Sequence, residues 1–320
     1  MPDPSSLHAD IDAVLPLREH LVVLGPCYLK MVEDVGEIPN SGENVKGTPL
    51  KVFPGGKSGN QAVAAGLLGA PVSLVAAVGN DESGNLVLRH LRQAHVNTKH
   101  VQTVDEPTTT ALVTIDADGD RTEVTSAGAN DQIDVSMVEN ITQLIGNASL
   151  LGLALEMPLN AVQYAMKVAH ARSTMVVLNP SPLPDTLPSD FLGHADVLIL
   201  NEDELAGLLD VDDIHSWERA LEGLREHGVT RAIVTRGPKG AVVLEDGVTV
   251  VDAVPVQAVD TDGCGDAFIG AALAALASDA SVLEAARFAS IVAAYAALGH
   301  GEQSSYGTLK QIEQRFGIKR

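Results

Sequence analysis

Short apolar runs recur along this chain, separated by segments with helical spacing, and that alternation predicts the architecture. Leu21-Val22-Val23-Leu24-Gly25 reads as a buried strand closed by a turn. Residues 59–69 follow as a helix packed by small side chains, then 72–78 as a strand and 82–94 as a helix. The rhythm resumes with a strand at 150–155, a helix at 160–171 and a strand at 174–178. It continues with a strand at 197–200, a helix near 216–226, and strands at 232–235 and 241–244. Runs that are apolar throughout fit a parallel sheet covered on both faces. The expected fold class is α/β, a three-layer domain with a mostly parallel central sheet and helices on both faces.

Two stretches, 28–54 and 107–127, break this rhythm with β-like alternation and turns such as Asp118-Gly119-Asp120. They predict a small antiparallel sheet standing off the main domain, which is either a lid or a fixed extension of the core edge. At 320 residues the chain has room for one large α/β domain or for two of ordinary size. The division expected here is an N-terminal extension over residues 1–20, predicted to be mobile, and one domain over 21–320.

Composition narrows the function. The net charge of −21 argues against nucleic acid as a partner, because phosphate backbones need clustered Lys and Arg. It leaves nucleotide binding open, since exposed charges are screened over ~8 Å at physiological salt and a local cradle of N–H groups can outweigh a distant acidic surface. No run of about 18 uncharged apolar residues occurs, so no membrane span is expected. The first twenty residues carry Asp3, Asp10, Asp12 and Glu19 and no apolar core, which argues against a secretory signal. Two cysteines, Cys27 and Cys264, fit neither a disulfide framework nor a spaced metal site, and a reducing cytoplasm is the expected setting.

The candidate chemistry lies in glycine turns. Residues 257–270 end a strand in Gly263-Cys264-Gly265-Asp266 and run into an alanine-rich helix. Free N–H groups of Gly263, Cys264 and Gly265, backed by the helix dipole, can face phosphate oxygens. Asp266 is then either a helix cap or a general base, the latter contributing ~10²–10⁴-fold in rate. Pro54-Gly55-Gly56-Lys57-Ser58-Gly59-Asn60-Gln61 precedes the first clear helix but lacks the glycine spacing of a Walker A loop. It is a polyol-binding turn, with Lys57 and Asn60 as donors, or a flexible turn in which Asn60 caps the helix. Asn201-Glu202-Asp203-Glu204 sits at a strand's carboxyl end, where acids either serve Mg²⁺ through water or stabilise a helix start. Thr235-Arg236-Gly237-Pro238-Lys239-Gly240 is a hairpin turn within reach of a nucleotide, and Glu156 ends another strand as a hydrogen-bond acceptor.

Taken in order, Gly-Gly-Lys-x-Gly-Asn-Gln-Ala-Val-Ala-Ala-Gly, Asn-x-x-Glu, Thr-x-Gly-x-x-Gly and Asp-Thr-x-Gly-x-Gly-Asp-Ala-Phe resemble the ribokinase-like (PfkB) family of carbohydrate kinases over residues 21–317. Ser126-Ala127-Gly128-Ala129-Asn130 and Leu178-Asn179-Pro180 place the resemblance nearest the ribokinases. The resemblance implies that Asp266 is the catalytic base and that Gly263, Cys264 and Gly265 supply the anion hole. It implies that Asn201, Thr235, Arg236, Gly237, Pro238, Lys239, Gly240, Gly265 and Ser290 contact ATP, and that Glu204 organises Mg²⁺ through water. It implies an activating K⁺ at Asp260, Asp262, Ala296, Gly299, Gly301 and Ser305. The sugar pocket would comprise Gly55, Gly56, Lys57, Asn60, Glu156 and Asp266, and the lid segments would pair between the subunits of a homodimer.

One departure bears on the acceptor. Where ribokinases carry Asn-x-Asp after the first strand, this chain reads Tyr28-Leu29-Lys30. Losing hydrogen bonds to a carboxylate, at ~1.5–3 kcal/mol each, would weaken free ribose by roughly two orders of magnitude. Either Lys30 recognises an acidic or phosphorylated sugar, or it turns to solvent while Tyr28 closes over a neutral sugar or nucleoside. The expected activity is ATP-dependent phosphorylation of a primary hydroxyl of a ribose-like sugar. The alternatives are a nucleoside or acidic-sugar kinase, and a non-catalytic sugar or nucleotide sensor.

Overall fold

The structure is a computed structural model that describes residues 4–188 and 190–319. In chain order the strands are β1 (Leu21–Leu24), β2 (Tyr28–Asp34), β3 (Lys51–Gly55), β4 (Val72–Gly79), β5 (Asn97–Val104), β6 (Thr110–Ile115), β7 (Arg121–Thr125), β8 (Leu150–Ala154), β9 (Met175–Asn179), β10 (Val197–Asn201), β11 (Ala232–Thr235), β12 (Ala241–Leu244) and β13 (Val248–Val251). The α-helices are α1 (Pro4–Asp12), α2 (Lys57–Leu67), α3 (Glu82–Gln93), α4 (Val135–Asn140), α5 (Thr142–Gly146), α6 (Leu159–Ala171), α7 (Glu202–Leu208), α8 (Trp217–Glu226), α9 (Cys264–Ala277), α10 (Val282–Ala296) and α11 (Leu309–Phe316).

The nine-stranded sheet runs β13-β12-β11-β10-β9-β8-β1-β4-β5. It is parallel from β11 to β5 and closes with the antiparallel pairs β11–β12 and β12–β13. Side chains of β1 alternate between two cores, as a strand buried on both faces requires. Leu21 and Val23 pack with α1, α2, α3, α9 and α10. Val22 and Leu24 pack with α4 to α8. The three-layer α/β class expected from the periodicity is what these residues build.

The N-terminal segment carries a helix of its own, and the expected pairing of the small sheet needs correction. Residues 4–12 form α1, whose Leu7 and Ile11 are buried against the core, with Asp10 3.9 Å from Arg287. The i, i+4 spacing of Leu7 and Ile11 makes an apolar stripe that ties this segment down despite its acids. The extension is therefore helical over residues 4–12 and packs on the core there; residues 1–3 lie outside the described residues. The small sheet is β3-β2-β6-β7, and its central pair β2–β6 is parallel, so the sheet is mixed rather than antiparallel. The chain leaves β2–β3, returns through α2, β4, α3 and β5, and re-enters the sheet in the original direction.

The small sheet has two distinct faces, set by the period of two along each strand. On one face Val52, Met31, Leu112 and Val124 stand opposite one another across all four strands. Three of them are exposed, Val124 by 65%. On the other face, Tyr28, Lys30, Arg121 and Glu123 line a cavity above the carboxyl ends of the large sheet.

Close approach of α2 to α9 sets the floor of that cavity. A Cβ added at Gly270 of α9 would lie 2.4 Å from the Gln61 carbonyl oxygen and 2.7 Å from the Ala64 Cβ. Gly270→Ala should accordingly lower unfolding free energy by ~1–3 kcal/mol through overpacking. Urea denaturation measures this, and an unchanged midpoint at unchanged m-value would contradict the packing.

Candidate active site

Four parallel strands deliver their carboxyl ends to one rim. β8 leads to Glu156, β9 ends at Asn179, β10 ends at Asn201 and β11 ends at Thr235, all of which line one polar cavity of ≈ 280 Å³. Crevices at the carboxyl ends of parallel strands are where open α/β sheets bind ligands, because loops diverge there and side chains converge. Lys57 at the start of α2 and Gly263, Gly265 and Asp266 at the start of α9 complete the floor.

Asp266 does not cap its helix. The N-cap is Gly263, in the left-handed region at φ 75°, and no side chain caps there. A Cβ on Gly263 would lie 2.8 Å from Glu302 Cα and 2.9 Å from the Tyr306 hydroxyl oxygen, so the turn accepts only glycine at that point. At Gly265 a Cβ would meet nothing within 4 Å, because the residue faces open cavity. Of the three amides expected to form an anion hole, that of Cys264 donates to the Thr261 carbonyl at 3.3 Å and is partly spent.

The Asp266 carboxylate accepts from Asn60 Nδ2 at 2.9 Å and from Gln61 Nε2 at 3.1 Å. Burial pushes its pKa up to about 6, with the Glu302 carboxylate adding to the rise and Lys57 and the two amides opposing it. Glu156 accepts from the Lys57 backbone N–H at 2.8 Å and is pushed up by burial to about 7, again against Lys57. A carboxyl poised near the working pH is the state in which a group can accept a proton and later release it.

Asn60 stands just behind the residues that line the cavity. It lies within α2, not at its cap, and is buried behind two carboxylates. Its Nδ2 donates to both Asp266 and Glu302, while its Oδ1 accepts from Gln303 Nε2 at 2.8 Å. Gly55 and Gly56 back the cavity wall; a Cβ on Gly56 would lie 2.7 Å from the Pro26 carbonyl oxygen. Tyr28 lines the cavity, and burial together with Glu156, Glu123, Glu302 and Asp266 holds its hydroxyl protonated.

Lys30 neither turns to solvent nor stands free. It is 7% exposed, and its Nζ donates to Asp262 Oδ2 at 3.1 Å and to Glu302 Oε1 at 2.5 Å. Burial pulls its pKa down, but the two carboxylates more than offset that and leave it above the ordinary lysine value.

A second cavity of ≈ 450 Å³ adjoins the first, with Thr235 and Gly265 lining both. Its walls are largely apolar, formed by Val254, Val256, Phe268 and Ala293 among others, with Gly237, Pro238, Gly240 and Ser290 at its edges. The Ser290 hydroxyl donates to the Ala286 carbonyl. Arg236 is turned away, paired with Glu202 at 3.1 Å and stacked over Trp217, and Lys239 is exposed outside the lining. Asn201 and Glu204 face the polar cavity rather than this one, and they form a capping box at the start of α7.

The turn before α9, the end of α10 and the loop after it carry the six positions expected to hold a monovalent cation. Asp260 Oδ2 accepts from Gly301 N at 2.9 Å, and a Cβ on Gly299 would lie 2.8 Å from Ser305 Cβ. Asp262 turns its carboxylate to Lys30 instead. Among the described residues no cluster of three or more His, Cys, Asp or Glu is arranged to hold a metal. An all-oxygen set of one carboxylate, a hydroxyl and carbonyls suits a large monovalent ion better than a transition metal.

A model of the pfkB family carbohydrate kinases matches residues 18–309. The chain belongs to this family. Ribokinase of Haemophilus influenzae is 32% identical to it over 299 residues, covering 92% of this chain and 97% of that protein. Deoxyribokinase of Salmonella typhi is 30% identical over 304 residues, covering 93% of this chain and 99% of that protein. The structure of Arabidopsis thaliana ribokinase complexed with ribose and ATP superposes with a TM-score of 0.87 at 26% identity, covering 94% of this chain and all 100% of that one.

In this pfkB kinase, Glu302, Gln61, Gln303 and Tyr306 are site residues that periodicity and motif reading missed. Gln61 lies beside Asn60 in the first glycine motif; within 302–306 the resemblance points to Ser305 alone, and nothing local marks Glu302, Gln303 or Tyr306. Because the Lys57 ammonium lowers both Asp266 and Glu156, Lys57→Met should raise both carboxyl pKa values above about 6 and about 7. Carboxyl carbon-13 NMR titration reads this directly, and midpoints that fall or stay fixed would refute the electrostatic assignment.

Proposed function

We propose that this chain is an ATP-dependent kinase that transfers the γ-phosphoryl group to a primary hydroxyl of a neutral, ribose-like sugar. The observation that carries this reading is the position of Asp266, at the helix start where a polar and an apolar cavity meet at Gly265. The polar cavity takes the acceptor and the phosphates, and the apolar one takes the base of ATP. Asp266 draws the proton from the acceptor hydroxyl as it attacks. The amide of Gly265, at the positive end of α9, faces the oxygens on which charge accumulates. Glu204 would serve Mg²⁺ through water, and Asp260, Ser305 and neighbouring carbonyls would hold K⁺, each ion supplying positive charge to offset that of the phosphates. The small sheet covers the cavity and keeps water from the phosphoryl group.

The charge of the cavity supports a neutral acceptor. The polar cavity is lined by the cations Lys30, Lys57 and Arg121 and by the carboxylates Glu123, Glu156, Glu204, Asp262, Asp266 and Glu302. Lys30 is already compensated, so a sugar acid would have to share with the ATP phosphates a cavity whose carboxylates outnumber its cations. Two free cysteines, one of them buried, fit the reducing setting of a cytoplasmic enzyme.

ADP release with D-ribose, 2-deoxy-D-ribose, adenosine and D-ribonate, with and without K⁺, tests the reading. A neutral sugar should be preferred, with K⁺ raising turnover; absence of turnover on all four would sink it. Asp266→Asn should lower kcat by ~10²–10⁴-fold with ATP affinity intact. In the unsubstituted protein kcat/KM should fall below about pH 6, since the base is active only when deprotonated.

The exposed apolar row of the small sheet also supports a homodimer formed through this element. Leu112→Asp should convert a dimer to a monomer in analytical ultracentrifugation, and a wild-type protein that is monomeric at tens of micromolar would reject the dimer.

A further inference from the structure

We propose that Glu302 is the carboxylate that grips the acceptor's vicinal hydroxyls, and that Lys30 is the residue that positions it. This rests on the kinase reading above. A polyol needs acceptors with fixed lone pairs, and strand β2 offers the cation Lys30 on the wall that faces the cavity. The carboxylates there differ in how committed they are. Asp266 is reserved as the base, and Glu156 holds the start of α2.

Glu302 combines enclosure with free capacity. Its side chain is 11% exposed, yet it lines the cavity. Oε1 takes the Lys30 ammonium and Oε2 takes Asn60 Nδ2. Each oxygen keeps a further lone-pair direction, and the plane of the group is fixed by partners on both sides. That same Asn60 nitrogen also donates to Asp266, so one nitrogen atom separates the gripping carboxylate from the base. A diol held by Glu302 therefore presents its neighbouring carbons next to Asp266. An enclosed carboxylate with both oxygens anchored is preorganised, and little entropy is lost when hydroxyls dock on it.

An ion pair that merely pins β2 to the 299–305 loop predicts something different, and steady-state kinetics separates the two. Glu302→Gln keeps the shape but removes the charge, and its single oxygen can accept from Lys30 or from Asn60 but not from both. It should raise KM for the preferred sugar of the four-compound panel by about 10–100-fold, with kcat and the KM for ATP within about threefold. Lys30→Met should raise the same sugar KM, and Lys30→Arg should recover part of it. Thermal midpoints and ATP affinity, measured in parallel, report on the fold. If Glu302→Gln does not fold, Glu302→Asp, which keeps the charge but withdraws the carboxylate, should raise the sugar KM in the same way. An unchanged sugar KM in a folded Glu302 variant overturns the assignment, and so does an equal loss of ATP and sugar affinity. No turnover by the wild-type protein on any panel member overturns the kinase reading instead, and this assignment with it.

Discussion

The carboxylate of Asp266 is held by Asn60 and Gln61, consecutive residues of a different helix, and the register between α2 and α9 makes that possible. Gly270 lets the two helices approach until a methyl group would collide with the α2 backbone. At that distance the first turns of both helices share one floor. Without it, the amides would not reach a carboxylate that sits four residues before the contact. Burial makes the carboxylate a stronger base, and the amides keep it from becoming a neutral acid at neutral pH.

A second constraint is charge compensation. The cavity holds more carboxylates than cations, and Lys30, Glu156, Asp266 and Glu302 each have a partner from a distant part of the chain. Lys30 of β2 meets Asp262 before α9 and Glu302 beyond α10. An ammonium so enclosed is tolerable only when paired, and pairing removes it as a ligand for anions. The same contacts attach the small sheet to the body of the domain along β2, while β7 carries Arg121 and Glu123 at the exposed rim. One sheet therefore has three jobs, an anchored central strand, a cavity wall and an outward apolar row, the last two assigned by strand alternation.

Much was legible along the chain. Apolar runs of four or five residues announced β1, β8, β10, β11 and β12, because strands buried on both faces cannot carry polar side chains. The glycine turns announced the starts of α2 and α9, because backbone at positive φ or in close contact excludes other residues. Helix α1 was not legible, since a stripe of two apolar residues among acids acquires meaning only once α10 lies beneath it. The parallel pairing of β2 with β6 was equally hidden, because strand direction follows from where the chain returns and not from side-chain alternation.

The same division runs through the site. The sequence by itself determined the residue types and their local turns: an acid after a glycine turn, an amide pair at 60 and 61, a lysine at 30 where a carboxylate was expected. Those are short-range properties, dictated by backbone sterics and spacing. Tertiary structure alone decided what each one faces. Glu302 lies 272 residues beyond Lys30 and 242 beyond Asn60, so no local pattern could couple them. Packing brought these groups within hydrogen-bond distance, and electrostatic compensation in a poorly solvated cavity then settled that Lys30 would be a partner within the site and not a free cation.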